Sequence, residues 1–144
     1  MPTTIVRSPR ALAPLALVLL LLAGCLTDQE QSAGNLVNDE RARAGVPALR
    51  VDGDAQAKAQ AWAGKMAAER RLSHSNMAAG IGGTWTRLGE NVATGSSVAE
   101  MHQALMSSPH HRARILDAGY THAGIGIAKG ADGRLYTAQV FITR

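Results

Sequence analysis

The spacing of apolar residues divides the chain into an N-terminal apolar run, a helical middle and a strand-like C-terminal part. Residues 11–22 form the apolar run, which only Pro14 interrupts. Apolar residues then recur at helical spacing in three segments, which end near residue 44, near Leu72 and at residue 106. A short further helix is expected from Pro109 to Leu116, because proline is tolerated in a first helical turn.

Local signals mark the ends of these helices. Gly45 and Pro47 end the first helix, since glycine suits a C-terminal cap and proline cannot continue a helix. Asp52 precedes the second helix and is a favourable N-cap. Between Ser73 and Ser96 the periodicity is lost and glycine, serine and threonine accumulate. This segment is predicted to be one long loop, and loops of that length in compact domains tend to be functional or disordered.

The C-terminal part has the pattern of a β-hairpin. Residues 123–128 alternate Ala or Ile with small residues, residues 130–133 carry turn-forming glycines, and residues 135–142 are rich in strand formers. Helices followed by a hairpin predict an α+β domain in which helices pack on a small antiparallel sheet. A third strand is expected without a defined position. Aromatic residues make up only 3% of the chain, so we expect helices to pack closely through small side chains.

The N-terminal apolar run is typical of a secretory signal. Arg7 and Arg10 precede it, and it spans about a dozen residues, fewer than the roughly 20 of a membrane-spanning helix. It ends in Leu-Ala-Gly-Cys at residues 22–25, which resembles the lipobox of bacterial lipoproteins, where the chain is cut before an acylated cysteine. Cys25 is also the only cysteine, so an internal disulfide is excluded. The alternative is an unlipidated signal peptide with an incidental cysteine.

Three segments follow from these features: a signal peptide at residues 1–24, a lipidated Cys25 with a polar tether at residues 25–33, and a globular domain at residues 34–144. The membrane is the partner that the lipid anchor implies, with palmitate as an acyl group. Leu26 is not the aspartate associated with inner-membrane retention. We therefore expect an extracytoplasmic protein of the cell envelope, attached to the outer membrane if the cell has one.

The charge balance excludes one class of partner. Cleavage before Cys25 removes two of the 15 basic residues and no acidic residue, which leaves 13 against 11 and a net charge near +2. A nearly neutral domain with interspersed signs has little attraction for phosphate backbones. No nucleic-acid partner is expected.

Several short segments, in one order, resemble the bacterial branch of the CAP (SCP/PR-1-like) family. They cover about residues 34–142 and comprise Asn38, Arg41 and Gly45; Trp62-Ala63; His74-Ser75; Gly89-Glu90-Asn91; Ser108 to Arg112 with Ile115-Leu116; Gly124-Ile125-Gly126; and Gln139-Val140-Phe141. The resemblance implies an α-β-α sandwich with a central cleft. It places His74 and Glu90 in that cleft and makes His111 a third candidate.

Other interpretations of these residues stay open. His74 could be a cation at the C-terminal end of the second helix, and Glu90 could be a loop carboxylate that accepts from backbone amides. Consecutive histidines on a helix point in different directions, so His110 and His111 are not expected to ligate one metal together. His102 borders an apolar stripe, which predicts a buried histidine with satisfied hydrogen bonds. His122 is predicted to be peripheral, and Arg112 to be structural.

The sequence departs from the two-histidine, two-glutamate cleft of eukaryotic CAP members. Leu105 stands at the position of a tryptophan, Ser108 at that of the second glutamate, and the later His-Tyr-Thr-Gln segment is missing in that form. A binding module for a lipid, cell-wall or protein ligand is therefore the preferred function, and we do not expect an enzyme. The alternative is a metal-assisted hydrolase in which His74 and His111, beside Glu90, hold a divalent metal such as zinc. A third alternative is a structural envelope protein with a vestigial cleft.

Overall fold

The computed structural model describes residues 26–144. The predicted signal peptide and the predicted lipidation of Cys25 lie outside these residues. The elements, in chain order, are α1 Asp28–Arg43, β1 Arg50–Val51, α2 Gly53–Glu69, β2 Arg87–Gly95, α3 Val98–Ser107, α4 Pro109–Ile115, β3 His122–Lys129 and β4 Leu135–Thr143. No helix in this part of the chain is long and apolar enough to cross a membrane.

The elements form the predicted α-β-α sandwich. The four-stranded sheet has the order β1-β3-β4-β2, and α2 packs on one of its faces. Helices α1, α3 and α4 lie on the other face, where Val37, Met101, Leu105 and Ile115 are buried. The sheet is mixed rather than wholly antiparallel, because the two residues of β1 pair in parallel with β3. The other pairs, β2 with β4 and β3 with β4, are antiparallel.

Small side chains bring α2 close to the sheet, as the composition predicted. Ala55, Ala59 and Ala63 are fully buried on the inner face of α2. A Cβ atom on Gly124 would overlap the backbone of Ala55, and one on Gly126 would overlap the backbone of Ala59. The glycines of β3 are therefore required where the helix and the strand approach.

The side chains of α2 also protect the edge of β3 beyond the short β1 strand. Gln56 Nε2 donates to the Ile125 carbonyl (2.8 Å) and its Oε1 accepts from the Ile125 N–H (2.9 Å). Gln60 makes the same pair of bonds with Ile127, at 3.1 and 3.0 Å. Four helical residues rise about 6.0 Å and two strand residues about 6.6 Å, so the two amides match alternate strand positions. They replace a neighbouring strand and remove an open edge.

Most predicted helix ends are confirmed. Asp52 caps α2 by accepting from the Ala55 N–H (2.9 Å), and α1 ends before Gly45, which has φ +70°. The second helix ends at Glu69, three residues before the predicted Leu72. Residues 28–33, predicted as a tether, are the first turns of α1, because Thr27 and Glu30 form a capping box at its start.

The prediction of one loop from Ser73 to Ser96 is wrong for its second half. Residues 87–95 form β2, the edge strand opposite β1. The loop that remains covers residues 70–86 and runs beside α2, to which Lys58 and Trp62 bind it. Glu90 consequently lies on a strand and not in a loop.

Candidate functional site

Side chains of α2 hold the loop of residues 70–86 against the helix. Arg70 ends α2 in the left-handed conformation, with φ 51°. Trp62 Nε1 then donates to the Ser73 carbonyl (2.7 Å), and Lys58 Nζ donates to the carbonyls of Asn76 (2.6 Å) and Ala79 (2.9 Å). This part of the loop is therefore positioned by side chains rather than by a backbone ladder.

Glu90 lies beneath the loop and binds it through both carboxylate oxygens. Its side chain is 1% exposed. Oε1 accepts from the Ser75 N–H (2.9 Å) and contacts His74 Nδ1 (2.8 Å), while Oε2 accepts from Ser75 Oγ (2.5 Å). The interpretation that Glu90 accepts from a backbone amide is thus correct, although the residue lies on β2 and not in a loop. The carboxylate clamps the His74-Ser75 segment to the sheet.

The clamp orients the ring of His74. An ionised carboxylate can only accept hydrogen bonds, so Nδ1 carries the proton that it shares with Glu90. The other ring nitrogen, Nε2, takes no part in this contact, and 57% of the side chain is exposed. His74 therefore offers one oriented imidazole nitrogen to solvent or to a ligand.

His111 lies on α4 and is connected to β2 through its backbone. Asn91 Nδ2 donates to the His111 carbonyl (3.1 Å) and to Gln139 Oε1 (3.2 Å). Asn91 and Glu90 are consecutive strand residues, so their side chains point to opposite faces of the sheet. Burial lowers the pKa of His111, and the charges of Arg114, His110 and His74 lower it further.

The structure brings His74 and Glu90 together, and it leaves His111 outside their hydrogen bonds. Among residues 26–144, no group of three or more His, Cys, Asp or Glu side chains is arranged to hold a metal ion. Both oxygens of Glu90 are already bonded to donors of the chain. Of the three candidates, only the outward Nε2 of His74 combines a fixed orientation with high exposure.

An open groove of about 560 Å³ lies between α2 and the loop. Trp62 forms part of its wall, and Lys65 Nζ lies 5.0 Å from the centre of the Trp62 ring. Burial lowers the pKa of Lys58, which Glu90 opposes. The lining consists of Ala57, Lys58, Ala61, Trp62, Lys65, Ser75, Asn76, Ala79 and Gly80.

Sequence reasoning did not identify this groove. Lys58, Trp62 and Lys65 follow one another at helical spacing on a face of α2 beside the buried alanines, and this was the available signal. The opposite wall comes from the loop, whose path depends on the tertiary bonds to Lys58 and Trp62. Only Ser75 is shared between the groove and the clamp on Glu90.

Two predictions about other polar residues need correction. His102 is largely buried, with 11% of its side chain exposed, but neither of its ring nitrogens has a hydrogen-bond partner among residues 26–144, and its Nε2 lies 3.9 Å from Glu40 Oε1. The prediction of a satisfied histidine is therefore wrong. Arg112 is exposed, and the structural arginine is Arg41, which is fully buried and donates to the carbonyls of Pro47, Ile115, Asp117 and Tyr120.

Comparisons with known proteins agree with this architecture. Residues 35–142 match the model of CAP, the cysteine-rich secretory protein family. The chain is 29% identical over 119 residues to the uncharacterized protein YkwD of Bacillus subtilis, an alignment that covers 76% of the chain and 46% of that protein. The chain thus spans less than half the length of this relative.

Solved structures show the same fold. An extracellular protein containing an SCP domain from Bacillus anthracis has a TM-score of 0.70 at 25% identity, over 85% of this chain and 45% of that one. An outer surface protein of Borrelia burgdorferi has a TM-score of 0.71 at 17% identity, over 83% of this chain and 96% of that one. Because the family model matches most of its length, the chain belongs to the CAP, or cysteine-rich secretory protein, family.

Proposed function

We propose that this chain is an extracytoplasmic CAP-domain binding module, anchored to a membrane through Cys25, that holds a lipid, cell-wall or protein ligand in the groove between α2 and the loop. The extracellular protein of Bacillus anthracis and the outer surface protein of Borrelia burgdorferi support the location. The signal-like N-terminus and the Leu-Ala-Gly-Cys segment support export and anchoring.

The occupied carboxylate of Glu90 is the observation that carries the choice of binding over catalysis. A general base or a metal ligand needs a free oxygen that reaches the substrate or the metal. Glu90 is 1% exposed, and donors of His74 and Ser75 occupy both of its oxygens. Through its bonds to Ser75, Glu90 can keep this wall of the groove in one conformation.

The groove has the composition of a binding site. Its lining includes Ala57, Ala61, Trp62 and Ala79, together with Ser75 and Asn76 of the loop. Binding sites for small molecules are typically concave, mostly apolar and supplied with a few oriented polar groups. Ser75, whose hydroxyl donates to Glu90, is the residue that the groove and the clamp share.

The test is a binding titration of residues 26–144 with a dansylated fatty acid and, separately, sedimentation with purified peptidoglycan. Ala61→Glu places a charged side chain in the groove and should weaken binding about tenfold or more. Ala104→Glu, on the exposed face of α3, introduces the same side chain away from the groove and should leave binding unchanged. Equal binding by both variants would contradict the assignment of the groove.

Metal-assisted hydrolysis by His74, Glu90 and His111 is the competing function, and a titration with Zn²⁺ at neutral pH distinguishes it. If the groove is a binding module, the wild type and a His74→Ala/His111→Ala variant should show the same weak response. Tight one-to-one binding that the double substitution abolishes would favour the hydrolase instead.

A further inference from the structure

The first helix begins almost at the predicted lipidation site. Only Leu26 separates Cys25 from Thr27, the N-cap of α1. The capping box fixes this start, because Thr27 N–H donates to Glu30 Oε2 (2.8 Å) and the Glu30 N–H donates to Thr27 Oγ1 (3.3 Å). Glu30 is 4% exposed, so the first turn of α1 is part of the packed domain. Two residue steps span at most about 7 Å.

Leu26 emerges at a defined end of the domain. It lines a cleft of about 80 Å³ together with Arg50 and Val51 of β1, the short edge strand of the sheet. Val51 is 61% exposed, the highest value among the large apolar residues of the described chain. At about 80 Å³, the cleft is small for an acyl chain. We therefore expect acyl groups on Cys25 to enter a bilayer rather than this cleft.

We propose that the end of the domain formed by Leu26, Arg50 and Val51 lies directly against the surface of a phospholipid bilayer. This inference rests on the proposed lipidation of Cys25. The headgroup layer of one leaflet is about 5–8 Å thick, which is close to the 7 Å reach from Cys25 to Thr27. An anchored Cys25 therefore leaves no gap between the headgroups and the domain.

The chemistry of this end fits that partner. Val51 is an apolar side chain that can enter the boundary between headgroups and acyl chains, and the exposed Arg50 can pair with lipid phosphates. Along the axis of α2, the groove residues extend from Lys58, about 7.5 Å beyond Gly53, to Lys65, about 18 Å beyond it. The ligand site is thus held near the membrane.

The experiment uses the full chain, exported and acylated in a bacterial host, and reconstituted in vesicles of phosphatidylcholine and phosphatidylglycerol. Val51→Cys carries a fluorophore on its free thiol, since an acylated Cys25 does not react, and a spin label on the lipid headgroups quenches it. The matched control is Ala131→Cys in the exposed turn between β3 and β4, at the opposite end of the sheet. The eight residues of β3 span about 26 Å.

We expect quenching at position 51 to be at least about threefold stronger than at position 131, because of this separation. A ten-residue Gly-Ser insertion between Leu26 and Thr27, with a mean span of about 17 Å, should remove the difference. Equal quenching at both positions in protein that mass spectrometry shows to be acylated would overturn the orientation alone. If mass spectrometry finds no acyl group on the protein, both the proposed lipid anchor and the proposed orientation are wrong.

Discussion

Glu90 is the residue on which the conformation of the His74-Ser75 segment depends. The resemblance to the CAP family placed His74 and Glu90 in one cleft, and in the structure the two side chains are in contact. That both oxygens of Glu90 are occupied could not be predicted, because the donors come from residues 15 and 16 positions away. Because Glu90 is buried and both of its oxygens are bonded, its side chain serves to position the His74-Ser75 segment and not as a catalytic group.

Replacement of Glu90 by glutamine should destabilise the domain. In Glu90→Gln, the amide NH₂ group cannot accept from the donors of His74 and Ser75, so at least one buried hydrogen bond to a charge is lost. We expect the free energy of unfolding to fall by about 2–3 kcal/mol, measured by urea denaturation. The amide hydrogen of Ser75 should also exchange faster. Glu69→Gln on the exposed surface is the control and should leave the stability almost unchanged.

Because protonation of His102 is unfavourable in the folded state, the domain should be less stable in mild acid. Burial lowers its pKa in the folded state, an effect that Glu40 partly opposes. Between that value and the unfolded value of about 6.5, the unfolded chain binds more protons than the folded chain. The free energy of unfolding therefore falls as the pH decreases through this window.

The variant His102→Leu removes both this titration and two buried nitrogens without partners. It should be more stable than the wild type by about 1 kcal/mol at pH 7.5, and its advantage should grow as the pH approaches 5.5. Thermal unfolding at several pH values provides the measurement. His110→Leu, on the exposed side of α4, should follow the wild-type curve; a constant difference between His102→Leu and the wild type would contradict the titration.

At the scale of elements, the sequence predicted the helices, the hairpin and a further strand, but it did not place β1 or β2. Leu88 and Val92 face α2, whereas Ala93 packs on the opposite face and Gly89 lies against the Tyr120 ring. Both faces of this strand are therefore partly buried, so the alternation of apolar and polar residues disappears. Glu90 and Asn91 are polar residues whose hydrogen-bond partners come from distant parts of the chain. In the sequence alone, polar residues at these positions are typical of a loop.

The contact between α2 and β3 depends on glycine. Gly126→Ala would force its Cβ atom into the backbone of Ala59 and Gln60, which cannot move without displacing the helix. We expect a loss of about 3 kcal/mol in unfolding free energy, measured by chemical denaturation. Gly64→Ala in α2 has no atom within 4 Å of the new Cβ and should instead stabilise the helix by about 0.5–1 kcal/mol. Similar losses in both variants would contradict the close approach.

At the scale of the whole molecule, Arg41 joins three parts of the fold. Its guanidinium donates to the turn after α1, to the end of α4 and to the segment before β3, which lies 79 residues away in the chain. The family resemblance included Arg41 without assigning it a role. Burial lowers its pKa, and the nearby Asp117 opposes this.

Arg41→Lys should destabilise the entire domain. A single ammonium cannot reach carbonyls that the planar guanidinium contacts through three nitrogens, so several buried acceptors lose their partner. The expected loss is about 3 kcal/mol, seen as a lower midpoint of cooperative urea unfolding. Arg43→Lys, which changes an exposed residue one position before the C-cap, should have almost no effect.

Local chemistry in the sequence determined the ends of the helices, the C-terminal hairpin and the close packing of α2. Caps, prolines and glycines act on residues a few positions away, so their effect can be inferred without the fold. Only the tertiary structure decided that Glu90 is an occupied clamp, that His102 lacks partners and that a groove lies beside Trp62. Each of these depends on contacts between residues far apart in the chain, where burial determines which polar groups stay free.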